Sequence, residues 1–218
     1  MTIRLAVFDC DGTLSDGQAA VCNAMEQTFE ACGLERPDRS AVRRTVGLSL
    51  PVAIELLAPD EEPELHAFAV TQYKHFFFEA RRQGLVEEPL FEGIAALVQR
   101  LHAADWTLGV ATGKSDRGLQ RTLAAHSLEH FFTTLQTADR HPSKPNPAML
   151  LAAMADAMAE PENTVMIGDT AFDVEMARAA GVRAIGVSWG YHPPAELLAA
   201  GAEAVANTAE ELEALLHG

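Results

Sequence analysis

The apolar positions of the chain follow two regimes. In the first, short continuous runs predict five buried strands: Ile3 to Phe8 (broken only by Arg4), Trp106 to Ala111, Phe132 to Thr137, Thr164 to Ile167 and Ala184 to Val187. Helical segments separate the later runs. One opens at Phe91-Glu92-Gly93 and continues to about Ala103, and another follows Thr112-Gly113-Lys114-Ser115. A third has Asn146 as its N-cap and Pro147 at its first position, and a fourth is ended by Gly181. Glu210 to Leu216 predicts a closing helix. Strands apolar on both faces, alternating with helices, predict a parallel sheet covered on both sides, which is a doubly wound α/β fold.

In the second regime, helical spacing runs on with no strand. Asp16 is a plausible N-cap, Val21, Met25, Thr28 and Phe29 recur at helical intervals to Cys32, and Gly33 ends the segment. Further helical pieces run from Asp38 to about Gln83, broken at Gly47, Pro51, Pro59 and Pro63. This block is too long for a crossover helix. It predicts an all-helical cap subdomain, residues 15–86, inserted into a core made of residues 1–14 and 87–218. Phe76-Phe77-Phe78 reads as part of the interior of that cap.

Composition narrows the setting. The 218 residues suffice for a sizeable core, and 48% hydrophobic with 22% charged residues is ordinary for a globular protein. No uncharged stretch reaches the ~18 residues of a membrane span, and the N-terminus lacks a secretory pattern, so a cytoplasmic location is expected. A net charge of −15 argues against nucleic acid or an anionic membrane as partner. It also means that an anionic substrate needs a local cation. Cys10, Cys22 and Cys32 lack metal-site spacing and are expected to be reduced thiols. Cys10 reads as a space-filling residue, since acidic neighbours disfavour its thiolate.

Candidate chemistry gathers where the strands end, which is where ligands bind in such sheets. Asp9 and Asp11 close the first strand, and Gly12 permits the sharp exit. Asp169 follows the fourth, with Asp173 in the first turn of the next helix, where it reads equally as a helix cap. Four carboxylates at one sheet edge call for a hard divalent cation, and Mg²⁺ suits a site that keeps waters and takes a phosphate oxygen. Thr112 and Gly113 offer a hydroxyl and backbone N–H groups to an anion. Lys144, flanked by Ser143 and Pro145, reads as a fixed cation aimed at the same place.

These motifs, Asp9-Cys10-Asp11-Gly12-Thr13, Thr112, Lys144 and Gly168-Asp169-Thr170 with Asp173, resemble in order the four motifs of the haloacid dehalogenase-like hydrolase superfamily. The helical insertion resembles its type 1 cap, and the chain is similar to the phosphoglycolate phosphatase-like branch from about Ile3 to Val205. The resemblance implies a Rossmann-like core and a Mg²⁺-dependent phosphomonoester hydrolase acting on a small phosphorylated metabolite. Asp9 is then the nucleophile that carries an aspartyl-phosphate, and Asp11 protonates the leaving group and activates water. Mg²⁺ is held by Asp9, the backbone carbonyl of Asp11 and Asp169, with Asp173 orienting the site. Thr112, Gly113 and Lys144 hold the phosphoryl group, and Lys144 restrains Asp9. The loop from Arg43 to Ser49 matches the substrate-facing cap loop, so Arg43, Arg44 or Ser49 could meet a substrate such as phosphoglycolate. A monomer or small homo-oligomer is expected.

Other readings fit less well. Gly109 to Ser115 has three residues between its glycines where a P-loop needs four. A phospho-acceptor signalling module has no use for Asp11 or for so long an insertion. Dehalogenases lack the second acid that Asp11 supplies. A β-phosphoglucomutase-like phosphotransferase carries a cap histidine where Val21 stands, and basic residues near Val46 and Leu50. Lys74, the lysine of the cap, sits in no phosphonatase-like motif.

Overall fold

The computed structural model describes residues 2–217. Its sheet has six strands: β1 (Arg4–Phe8), β2 (Trp106–Thr112), β3 (Phe132–Thr137), β4 (Thr164–Gly168), β5 (Arg183–Val187) and β6 (Ala204–Ala206). They lie in the order β3-β2-β1-β4-β5-β6, and every neighbouring pair is parallel. The chain winds outward from β1 to β3, then returns to the other side of β1 and winds outward again. The reversal falls between β1 and β4, so the crevice of the fold opens beyond Phe8 and Gly168.

Alternation along β1 feeds two cores. Ala6 and Phe8 pack on one face with Leu97 and Leu101 of α5 (Ile94–Ala103). Leu5 and Val7 pack on the other with Met149 and Leu150 of α7 (Ala148–Ala157) and Val174 of α8 (Ala171–Ala179). The layers are completed by α6 (Asp116–Ala125), α9 (Pro194–Ala200) and α10 (Ala209–His217). The five expected strands and the α/β doubly wound class are present, with β6 and α9 in addition. Two helices start one residue later than expected. Asp16 Oδ1 accepts the Gln18 N–H at 3.2 Å, so the first helix begins at Gln18. Asn146 Oδ1 accepts the Ala148 N–H at 3.0 Å, which leaves Pro147 as the cap of α7.

Four helices stand between β1 and α5: α1 (Gln18–Ala31), α2 (Arg39–Thr45), α3 (Leu50–Leu57) and α4 (Pro63–Arg82). They enclose their own apolar cluster of Cys22, Met25 and Phe29 from α1, Val42 from α2, Ile54 from α3 and Ala69 from α4. The chain leaves and re-enters the α/β layers on two adjacent segments. Asp16 N–H donates to Pro89 O at 2.8 Å and Phe91 N–H to Leu14 O at 3.1 Å. Phe76-Phe77-Phe78 does not sit inside the cluster. Successive helical residues point about 100° apart, so three in a row cannot share one buried face. Phe77 is half-buried and Phe78 is 42% exposed.

Candidate active site

Asp9, Asp169 and Asp173 converge beyond β1 and β4, all buried, with carboxylate oxygens within 4.8 Å of one another. Lys144 lies among them, fully enclosed, its Nζ 2.9 Å from Asp9 Oδ1 and 2.6 Å from Asp173 Oδ1. Burial alone would push this ammonium down, and Asp173 and Asp9 reverse the effect, so it stays charged. Burial also pushes Asp9 up to about 7, against the pull of Lys144 and with the push of Asp173 and Asp11. Asp169 is raised well above the usual carboxylate range by burial, then by Asp9 and Asp173.

Each carboxylate is held differently. Asp9 Oδ1 accepts the Cys10 N–H at 2.7 Å, while Asp9 Oδ2 is buried with no hydrogen-bond partner. Asp169 accepts from the Thr13 hydroxyl at 2.8 Å and from the Tyr191 N–H at 2.9 Å. Asp173 accepts at Oδ2 from the Thr170 N–H and hydroxyl, closing a capping box on α8. Gly12, at φ +87°, lies so close to Asp169 and the Tyr191 ring that a Cβ would overlap both. Three buried carboxylates face one ammonium, and burial with mutual repulsion raises Asp9 and Asp169 for want of a second positive charge. An all-oxygen donor set of this kind fits a hard divalent cation such as Mg²⁺.

Asp11 points elsewhere. Its Oδ1 lies 2.8 Å from Lys114 Nζ, a charge contact off the geometry of a hydrogen bond, and its carboxylate is outside the three-carboxylate cluster. Lys114 also lies 2.8 Å from Glu88, which accepts from Arg81 at the end of α4. Thr112, buried at the end of β2, accepts the Lys114 N–H at 3.2 Å. Burial pushes the Cys10 thiol far up, in keeping with an inert space-filler.

The loop 46–49, between α2 and α3, closes over this edge. A Cβ at Gly113 would fall inside the carbonyl oxygens of Gly47 and Leu48, and the Ser49 N–H donates to Ser143 Oγ at 2.8 Å. Beside Asp11 the closure leaves a cavity of about 470 Å³, bounded by Gly113 to Gly118 from the α/β layers and by Thr45 to Pro51 and one side of α4 from the helical block. Ser49 lines it, but Arg43 and Arg44 do not. They project from the exposed side of α2, and Nη1 and Nη2 of Arg44 both donate to Glu196 of α9.

Sequence reasoning missed Lys114, Glu88 and the segment after β5. Trp189 Nε1–H donates to Thr13 O at 3.1 Å, Tyr191 braces Asp169, and His192 Nδ1 accepts the Ala171 N–H at 3.2 Å. The signal was available, since β5 was expected and its end belongs to the same sheet edge.

A parallel sheet with buried carboxylates at its central strand ends, roofed by a helical insertion, defines a class of hydrolases. The comparisons name it: residues 6–187 match the haloacid dehalogenase-like hydrolase family, and the chain belongs to that family. A probable phosphatase of Dickeya dadantii, IndB, is 36% identical over 98% of this chain and 93% of its own length. The phosphoglycolate phosphatase of Vibrio cholerae is 30% identical over 88% of this chain and 87% of its own. A haloacid dehalogenase-like hydrolase of Streptococcus pneumoniae superposes with a TM-score of 0.84 at 27% identity, covering 98% of both chains. By these relationships the chain is an enzyme of the phosphatase type, in the phosphoglycolate phosphatase-like branch.

Proposed function

We propose that the protein is a Mg²⁺-dependent phosphomonoester hydrolase that works through an aspartyl-phosphate on Asp9, acting on a small phosphorylated metabolite of the phosphoglycolate kind. The observation that carries this reading is the division of labour between the two aspartates after β1. Asp9 lies among buried carboxylates with a free oxygen, and Asp11 faces the cavity beside Lys114.

In this reading Asp9 Oδ2 attacks phosphorus in line, and Asp11 delivers a proton to the departing oxygen. Asp11 then takes the proton of the water that cleaves the acyl-phosphate. Lys144 holds Asp9 through Oδ1, leaving Oδ2 to react. The Thr112 hydroxyl and the Gly113 N–H receive phosphoryl oxygens as charge shifts onto them. Asp9, the main-chain carbonyl of Asp11 and Asp169 would hold Mg²⁺, with Asp173 behind them. The ion supplies charge neutralisation at the phosphoryl oxygens. The loop 46–49 excludes water, and its release opens the site.

Phosphate release from phosphoglycolate and related esters is expected to need Mg²⁺ and to fall to background in EDTA; release undiminished by EDTA overturns the metal assignment. Linkage adds a second readout. Asp9 is raised from 3.8 to about 7, so between those values the folded chain holds a proton that the unfolded chain has lost. Stability of the metal-free protein therefore falls as pH rises through that window. Mg²⁺ competes with the proton, so its thermal stabilisation is expected to be larger near pH ~8 than near pH ~5.

Gly113→Ala tests the closure. The added Cβ meets backbone carbonyls of the roof loop, which can yield only by moving away. A fall of about 10- to 100-fold in kcat/KM is expected, together with a lower melting temperature from the roof contacts that are given up. Wild-type kinetics would show that the loop does not need this close approach.

A further inference from the structure

The cavity beside Asp11 has two surfaces of opposite character. Val21 and Met25 of α1 with Tyr73 and Phe77 of α4 form an apolar wall, and the Tyr73 and Phe77 rings stack at 5.8 Å. The same cavity is lined by Arg117 and Arg121 of α6, one helical turn apart, and by Lys74 beside Tyr73 on α4. In a chain with 31 acidic and 16 basic residues, cations find partners easily. Ten of the lysines and arginines have a carboxylate within ion-pair distance; among the described residues Lys74, Arg117 and Arg121 do not. Arg117 instead rests over the Phe78 ring at 5.5 Å, joining the α/β layers to the helical block. Arg121 is lowered by partial desolvation and by the neighbouring guanidiniums of Arg117 and Arg81. Two acids stand near this end: Asp139 lines the cavity and accepts the Asp116 N–H at 2.9 Å, and Asp116, in the first turn of α6, is held by Arg140 and the Thr137 hydroxyl.

Unpaired cations that repel one another at the rim of an active-site cavity lack only an anion. A two-carbon leaving group leaves most of about 470 Å³ empty, whereas cavities of roughly 300 Å³ and above hold ring-sized ligands. We propose that the leaving group is an apolar, ring-sized body seated between α1 and α4, carrying a second anionic group at its far end that Arg117 and Arg121 bind. This rests on the phosphomonoesterase reading and replaces phosphoglycolate with a larger member of the same class. Phosphate enters beside Asp9, the ring lies along Tyr73 and Phe77, and the distal anion, a carboxylate or a second phosphate, lies at the N-terminal turns of α6. Guanidinium forks suit either anion.

The test compares phosphate release, with Mg²⁺, from phosphoglycolate, benzyl phosphate, para-carboxybenzyl phosphate and para-xylylene bisphosphate. Benzyl phosphate is expected to exceed phosphoglycolate in kcat/KM by about tenfold or more, as burial of a ring implies. The distal anion is expected to add about tenfold again, and the better of the two anions identifies its chemistry. In Arg117→Gln/Arg121→Gln the ratio of the para-carboxy ester to benzyl phosphate is expected to fall toward one. Because that ratio is taken within one variant, a general loss of activity cancels. Turnover with phosphoglycolate preferred, or a ratio near one in the wild type, or a ratio that survives in the double variant, overturns this proposal and leaves the hydrolase reading standing. Absence of Mg²⁺-dependent release from every ester overturns both.

Discussion

Replacing Asp9 by asparagine is expected to lower phosphate release at least about 10⁴-fold while the chain stays folded. The amide has nearly the shape of the carboxylate but no charge with which to attack phosphorus, and no acyl-phosphate can form on it. The fold should tolerate the change because Asp9 is costly where it stands. Burial pushes its pKa up to about 7, and two neighbouring carboxylates, Asp173 and Asp11, add to the push. Removing one of three clustered negative charges relieves repulsion on Asp169, while Lys144 keeps its 2.6 Å contact with Asp173. The melting temperature without Mg²⁺ is therefore expected to hold or rise, and the stabilisation by Mg²⁺ to shrink. The wild type, quenched during turnover, should carry a hydroxylamine-labile phosphate on the peptide containing Asp9, and the variant none. Turnover surviving in Asp9→Asn, or the label on another peptide, sinks the nucleophile assignment.

What the sequence disclosed and what it hid separate along physical lines. The place of Asp9, Asp11 and Asp169 at the sheet edge was legible because each comes at or just after the end of a continuous apolar run, where a charged residue stands out against its neighbours. The helical insertion was legible from its length without a strand. The pairing of Lys144 with Asp173 was not, because the two are 29 residues apart on elements brought together only by the winding of the sheet. The separation of Asp11 from the carboxylate cluster depends on Lys114, a residue that reads as part of a failed P-loop until the fold turns its side chain toward Asp11 and Glu88. Three-residue β6 is too short for any periodicity, and α9 begins at Pro193-Pro194, which reads as a break. Arg43 and Arg44 sit in the expected loop region, yet helix phase turns both outward. One sequence gives the spacing of such residues but not the face they occupy when the helix packs.

Lys144→Met is expected to be the most destabilising single substitution at the site, by about 3–5 kcal/mol near neutral pH. Methionine keeps the length and apolar stem of the side chain, so little packing is lost in a position with no solvent exposure. What goes is the cation that faces Asp9 at 2.9 Å and Asp173 at 2.6 Å, leaving buried carboxylates to face one another. At this chain length each kcal/mol shifts the melting temperature by roughly 2–4 °C, so a drop on the order of 10 °C follows. The sign of the pH dependence separates lost charge from lost packing. Without Lys144 the pull that lowers Asp9 is gone, so Asp9 keeps its proton to higher pH in the folded state. The deficit is therefore largest above neutrality and shrinks as pH falls, whereas a packing defect would be the same at every pH. Mg²⁺ should restore part of the stability by replacing the missing charge. It should not restore turnover, because Oδ1 of Asp9 would have lost the ammonium that fixes the other oxygen toward phosphorus. Urea melts at two pH values, with and without Mg²⁺, provide the measurement. A deficit independent of pH, or a variant as stable and active as the wild type, would show that Lys144 does not hold the carboxylate cluster together.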